Sequence, residues 1–191
     1  MAEGFRAETE RLILRPFDMD DLDGIHAVLG DAVSMRYYPA PFTREKSRQW
    51  IEWNLANYRD NGHGLWVLES RETGELVGDC GLIPQTVDGE REVEVGWHVR
   101  RDLQRQGFAT EAARECVRHA FEDLGLTRLT SLIRPENVPS RRVAEKLGMT
   151  IEKTIAHGPG SGWPHFVYSL AASFVCGPSE AAPRGPRPPT G

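Results

Sequence analysis

Ala109, Ala112, Ala113, Cys116, Val117, Ala120, Phe121 and Leu124 recur at three- and four-residue spacing, one unbroken apolar stripe ending where Gly125 can cap a helix. A helix with a single apolar face has to bury it against another element. Short runs of strand character flank it on both sides and supply a sheet to lie on. Before it, residues 12–14 read as a strand stopped at Pro16. Asp18 then reads as an N-cap with Asp21 in the first turn, and Leu22, Ile25 and Leu29 form a helical face. Thr43 is the next N-cap, opening a helix to about residue 58. Residues 65–69 and 76–83 form a hairpin through Glu72-Thr73-Gly74-Glu75, and 91–99 follows a turn at Asp88-Gly89. After the long helix come a strand at 129–133, a helix at 137–147 stopped by Gly148, a strand at 150–155 and a last one at 163–170. The order β-α-α-β-β-β-α-β-α-β-β defines a mixed α/β domain with antiparallel hairpins in its first half.

The chain has 191 residues, 39% hydrophobic and 27% charged, enough to bury one core without disulfides or metal. A formal net charge of -5 excludes a protein built around a nucleic-acid backbone. No apolar run reaches the roughly 20 residues of a membrane helix. The segment Met1-Ala2-Glu3-Gly4-Phe5-Arg6 lacks the apolar stretch of a secretory signal, so a cytoplasmic location without membrane attachment is expected. Cys80, Cys116 and Cys176 lie far apart, with no metal-ligand spacing, so no metal is expected and the thiols read as ordinary packing residues. Residues 177–191 hold Pro178, Pro183, Pro186, Pro188 and Pro189 among glycine and polar residues. They are expected to form a disordered tail after a domain at 1–176.

The most informative stretch is Gln104-Arg105-Gln106-Gly107-Phe108-Ala109-Thr110-Glu111, between a strand and the long helix. Glycine at a helix N-terminus lets backbone N–H groups approach an anion, and the helix dipole favours negative charge there. A glycine before a helix is also an ordinary turn. Neither G-x-x-x-x-G-K-[ST] nor a G-x-G-x-x-G after a first strand is present. Gly158-Pro159-Gly160-Ser161-Gly162 is flanked by strands and reads as a hairpin loop.

The [QR]-x-x-G-x-[GA] pattern at Gln104–Ala109, preceded five residues earlier by Val99, resembles the acyl-CoA pyrophosphate loop of the GNAT superfamily of N-acetyltransferases. Asn137-Val138-Pro139-Ser140 and Glu145-Lys146-Leu147-Gly148-Met149 resemble that superfamily's next strand-loop-helix element. Thr9-Glu10-Arg11-Leu12-Ile13-Leu14-Arg15-Pro16 resembles the start of the RimJ/RimL-type branch, as does Gly96-Trp97 followed by Gly107-Phe108-Ala109-Thr110-Glu111-Ala112. The resemblance spans about residues 8–170. It implies a single domain with a mostly antiparallel central sheet flanked by helices, acetyl-CoA as cosubstrate, and an amine acceptor. A protein or peptide N-terminus is the first expectation for that acceptor; a polyamine, amino acid or antibiotic is the alternative. A monomer or homodimer is expected.

By the same resemblance, Trp97, His98 and Val99 present backbone to the pantetheine arm and the acetyl carbonyl. Gln104, Arg105, Gln106, Gly107, Phe108, Ala109 and Thr110 wrap the pyrophosphate, and Asn137 hydrogen-bonds the pantetheine or orients the thioester region. Arg100, Arg101, Arg105, Arg141 and Arg142 stand on either side of these loops, where guanidinium groups suit phosphates or simply form a solvated basic patch. Attack of an amine on a thioester needs an oxyanion donor, a proton acceptor and a donor to the departing thiolate. A strand-end amide near His98 or Val99 is the expected oxyanion donor. Glu92, Glu94 and His98 share a strand face by the period-two rule, and Glu94 is the first candidate for the base, with His98 second. Many members of the superfamily have a tyrosine four residues after the position of Ser140, as acid for the thiolate. Ala144 stands there, leaving Ser140 as the candidate acid. His165 occupies a position where the branch often has an acidic residue. A non-catalytic acyl-CoA-binding module is the rival of another class, but it would need only the pyrophosphate loop.

Overall fold

Asp18 caps the first helical turn in the computed structural model, which describes residues 5–156, 158 and 162–172. Its side chain accepts from Asp20 N while Asp21 returns a carboxylate to Asp18 N, a reciprocal box that starts the 3-10 turn Met19–Asp21 and helix α1, Leu22–Leu29. Thr43 accepts from Lys46 N and opens α2, Arg44–Asn61. That helix runs past the expected residue 58 because its stop is Gly62, left-handed at φ 75°.

Eight strands form one sheet: β1 Ala7–Glu8, β2 Leu12–Arg15, β3 Leu65–Ser70, β4 Leu76–Val87, β5 Glu90–Val99, β6 Arg128–Ile133, β7 Thr150–Ile155 and β8 His165–Ala171. Their order is β1-β2-β3-β4-β5-β6-β8-β7, and only β5–β6 is parallel. The two-residue β1 carries no hydrophobic period and was not expected. Strand β4 also extends beyond the expected residue 83, through Pro84. Leu82 N donates to Gly64 O and Arg100 N to Val77 O, so even-numbered residues of β4 face β3. Strand β3 begins at Leu65, opposite Gly81, so Pro84 meets no acceptor that would need its missing N–H.

Helix α3, Phe108–Arg118, and α4, Val138–Lys146, cover one face of the sheet. The α3 stripe buries Ala112, Ala113, Cys116, Val117 and Ala120 on Trp66, Cys80, Leu82, Val95 and Leu129. Helices α1 and α2 cover the opposite face, with Ile25, Val28, Leu29 and Ile51 against Leu65 and Val67. The expected single helix to Leu124 changes pitch at His119–Asp123, a π segment in which Leu124 N donates to His119 O. The wider turn brings both His119 and Ala120 inward, and the imidazole packs on Phe5 and Trp66. The proline-rich 177–191, Cys176 and residues 157 and 159–161 of the expected hairpin loop lie outside the described residues.

Candidate active site

Strands β5 and β6 share a single ladder position, Glu94 opposite Thr130, and then part. The register of β5 on β4 decides what the fork exposes. Since Arg100 N donates to Val77 O, the even residues His98, Gly96 and Glu94 spend their main-chain groups on β4. The odd residues turn theirs toward β6, and beyond Val95 there is no paired β6 residue to meet them. Trp97 N–H and C=O and Val99 N–H therefore line the fork, while Val99 O accepts from Gln104 Nε2 at 3.1 Å. His98, expected to offer its backbone here, has it committed to β4. Leu132 N–H, which a continuing parallel ladder would direct to Val95 O, instead donates to Glu94 Oε1 at 2.9 Å. The Glu94 carboxylate thus stands at the fork.

Glu94, Gly96 and His98 share the face covered by α1 and α2. A Cβ on Gly96 would meet only Leu65 Cδ2, at 3.9 Å, so an open slot lies over Gly96 with Glu94 and His98 on either side. Glu94 Oε2 accepts from Gln85 Nε2 at 3.0 Å. Burial pushes the Glu94 carboxyl above the usual carboxylate range, although the bonds from Gln85 and Leu132 and the nearby His98 act in the opposite direction. Glu92, expected on the same face, is held instead by Arg128.

His98 has two hydrogen-bond partners that short-range sequence patterns do not show. Its Nδ1 lies 2.7 Å from Asp79 Oδ1, and its Nε2 lies 2.7 Å from the Tyr38 hydroxyl. Asp79 is fully buried opposite His98 on β4, and its Oδ2 accepts from Trp50 Nε1 of α2 at 2.9 Å. Burial lowers the His98 pKa, but the charge and hydrogen bond of Asp79 and the charge of Glu94 outweigh it, so the net shift is upward. Asp79→Ala would strand the Trp50 and His98 donors in a buried site. Unfolding in urea should show a loss of about 3–5 kcal/mol. A loss under about 1 kcal/mol, the level of an exposed pair, would mean the site is wet.

Past Val99, a 3-10 turn at Arg101–Leu103 leads into the loop. Arg105 at φ 65° and Gly107 at φ 91° are both left-handed, a geometry that aims successive N–H groups into a concavity. Gly107 caps α3 with no side chain, so the first-turn N–H groups of Phe108, Ala109 and Thr110 keep no protein cap. Arg11 shapes the loop: Nη1 donates to Gln106 O at 3.0 Å, and the guanidinium lies 4.3 Å over the Phe108 ring. Arg11 is held in turn by Glu111, which also accepts from Thr9 Oγ1 at 2.6 Å. A cavity of about 780 Å³ opens beside Gly107, its lining mixed in charge: Arg11, Arg114, Arg118 and Lys146 face it together with Glu8, Glu10, Glu111 and Glu115. Among the described residues Arg114 and Lys146 form no ion pair.

Helix α4 starts after β6 as α3 starts after β5, so both N-termini lie at the carboxyl end of the parallel pair. Asn137 caps α4 by accepting from Ser140 N at 3.2 Å, which leaves its Nδ2 free among the described residues. The Ser140 hydroxyl makes no hydrogen bond among those residues, and Ala144 is fully buried. Of the arginines singled out, Arg100 is tied to Asp102 and Glu75, and Arg141 to Tyr168 and Pro135 O. Arg105 and Arg142 form no ion pair among the described residues. His165 places Nδ1 on Trp163 O. The expected loop, strand-end backbone and carboxylate thus lie around one end of the β5–β6 pair, at a fork that the sequence did not show. Arg11, Tyr38, Trp50 and Asp79 were missed as site residues.

Residues 11–150 match the family described as Acetyltransferase (GNAT) domain. "Uncharacterized protein YkkB" of Bacillus subtilis (strain 168) is 36% identical over 148 residues, 77% of this chain and 86% of that protein. "Uncharacterized N-acetyltransferase YnaD" of the same strain is 30% identical over 167 residues, 85% of this chain and 94% of its own length. The crystal structure of a GNAT-family acetyltransferase from Bacillus anthracis aligns with a TM-score of 0.75 at 26% identity, covering 88% of this chain and 99% of that one. The chain belongs to the GNAT acetyltransferase family. It is an acetyl-CoA-dependent N-acetyltransferase.

Proposed function

We propose that the chain transfers acetyl from acetyl-CoA to a primary amine held over Gly96, and that the acceptor is a protein or peptide N-terminal α-amine. The observation that carries the site assignment is the β5–β6 fork, with unpaired main-chain groups of Trp97 and Val99 on one side and the Glu94 carboxylate at its base. The uncapped N–H groups of α3 and the left-handed Arg105 and Gly107 suit a pyrophosphate, and Arg114 and Lys146 suit further phosphate charge. Trp97 and Val99 N–H are the candidates for holding the pantetheine arm and the thioester oxygen. Glu94 is the base that takes the proton from the attacking amine. Asn137 Nδ2 and the Ser140 hydroxyl lie at the N-terminus of α4, where Ser140 is the donor to the departing thiolate.

The RimJ/RimL-like motifs at Thr9–Pro16 and Gly96–Ala112 support the α-amine. A lysine amine with pKa near 10.4 is over three units from neutrality at pH 7, roughly 4–5 kcal/mol, against about one unit for an α-amine. With a single proton acceptor, the α-amine would be favoured. The structure adds Asp79 and Tyr38 through His98, across the slot from Glu94. Small, strongly basic amines are therefore the second reading. Thiol release at pH 7 should show higher kcat/KM on a short peptide's α-amine than on the same peptide N-terminally blocked with a free lysine. Comparable rates, or activity confined to polyamines or aminoglycosides, would move the acceptor to the second reading.

A further inference from the structure

We propose that Tyr38 is a catalytic residue of this transfer, taking a proton from the bound ammonium as it passes its own to His98. The inference rests on acetyl transfer at the Gly96 slot and not on the choice of acceptor. Four side chains from four places in the chain form one hydrogen-bonded line. Trp50 Nε1 donates to Asp79 Oδ2 at 2.9 Å, Asp79 Oδ1 meets His98 Nδ1 at 2.7 Å, and His98 Nε2 meets the Tyr38 hydroxyl at 2.7 Å. The direction of the line follows from its ends. Indole N–H only donates, and an ionised Asp79 only accepts, so His98 carries its proton on Nδ1 and its bare Nε2 accepts from the phenol. A base oriented by a buried carboxylate and bonded to a hydroxyl is the arrangement that activates hydroxyls elsewhere.

Tyr38 is not a loose surface ring. Its N donates to Met35 O, Met35 is buried, and the preceding turn is capped by Asp31, which accepts from Ser34 N and Val33 N. The residue is 40% exposed, and its hydroxyl meets His98, which stands beside the Gly96 slot. Burial and the charges of Glu94 and Asp79 hold the phenol well above its ordinary range, so at neutral pH it is a donor poised to be recharged from the other side.

Two protons must leave the nitrogen during the reaction, one before attack and one with it. In the first transfer an ammonium N–H bond breaks and an O–H bond forms on Tyr38, while the phenol's original O–H breaks and Nε2–H forms on His98. The amine is left neutral, the phenol unchanged, and the imidazolium sits against Asp79. The second proton goes to Glu94 across the slot. The Ser140 hydroxyl gives its proton to the thiolate sulfur and is recharged by one of the two, and the other goes to water, which balances the reaction.

The titrating groups facing His98 are Asp79 on β4, Glu94 on β5 and Tyr38 on the α1–α2 connection, and the upward shift of His98 sets the lower edge of the working range. Tyr38→Phe keeps the ring and removes only the hydroxyl. With the peptide α-amine and the blocked-peptide lysine as probes, kcat/KM should fall by about 10²-fold, the lower end of proton-transfer catalysis. The deficit should be widest between the His98 pKa and the acceptor's own pKa, closing at higher pH where the amine arrives neutral. Its upper edge should lie higher for the lysine probe than for the α-amine probe. His98→Gln should show the same pattern, and acetyl-CoA affinity by calorimetry should not change in Tyr38→Phe. A deficit uniform in pH, or none, overturns the relay while acetyl transfer stands. A wild-type protein that binds acetyl-CoA but acetylates neither probe nor a polyamine overturns the transfer reading and the relay with it.

Discussion

Glu94→Gln is expected to lower kcat by about 10²–10⁴-fold, the range for losing a positioned base, with acetyl-CoA affinity unchanged. Oε1 accepts from Leu132 N and Oε2 from Gln85 Nε2, so the side chain is fixed at the fork by two neutral donors. An amide can keep both bonds if Gln85 turns its own amide to accept, at the cost of the bond that Gln85 Oε1 now accepts from the exposed Thr86 N, so the variant removes the basic oxygen with little change of volume. Because burial raises the Glu94 pKa, the wild-type rate should climb with pH through a limb above the usual carboxylate range, and that limb should flatten in the variant. Stability should move the other way. A carboxyl whose folded pKa is raised contributes fully below its unfolded pKa, and that contribution is lost as pH rises through the folded value. The variant lacks this loss, so its Tm relative to wild type should rise as pH climbs from the ordinary carboxylate range through the raised Glu94 value. A kcat unchanged in Glu94→Gln would make Glu94 a structural carboxylate; an acid limb that remains beneath a lowered kcat is the titration of His98.

The loop before α3 was legible because its geometry is local. Gln104 to Ala109 is six consecutive residues, and the geometry that matters there, a glycine cap on an amphipathic helix, is written in spacing. The same holds for the caps at Asp18 and Thr43. The surroundings of His98 were not legible, since Tyr38, Trp50 and Asp79 reach it only through β4–β5 pairing and the packing of α2 and the α1–α2 connection on that face. One signal was available: Asp79 interrupts the otherwise apolar run of β4, and a charge inside a buried strand has to find partners. Backbone parity was likewise invisible. Period two placed the side chains of Glu94 and His98 correctly on one face, but only the register shows that Trp97 and Val99, not His98, turn their main chain into the fork. Arg11 belongs with these, as a residue of the opening motif whose work is done 95 positions away on Gln106 O.

Gly107→Glu is expected to abolish useful acetyl-CoA binding. Gly107 sits at φ 91°, where side-chain-bearing residues are strained by about 1–2 kcal/mol, so any substitution weakens the loop somewhat. A carboxylate there adds a specific effect. It places negative charge at the N-terminus of α3, beside the first-turn N–H groups that have no protein cap. It also stands near Arg11, whose Nη2 lies 3.4 Å from where a Cβ would be, and so competes with Glu111 for the guanidinium that holds Gln106 O. Losing two charged hydrogen bonds at about 1.5–3 kcal/mol each weakens binding by about 10²–10⁴-fold. Gly107→Ala separates the two causes, because it carries the strain without the charge. Calorimetric titration with acetyl-CoA should show a far smaller loss for alanine than for glutamate, while both variants lose similar thermal stability. Equal affinity losses would assign the effect to backbone strain alone. Unaltered affinity in Gly107→Glu would remove the pyrophosphate from this loop and send it to the Arg114 and Lys146 side of the cavity.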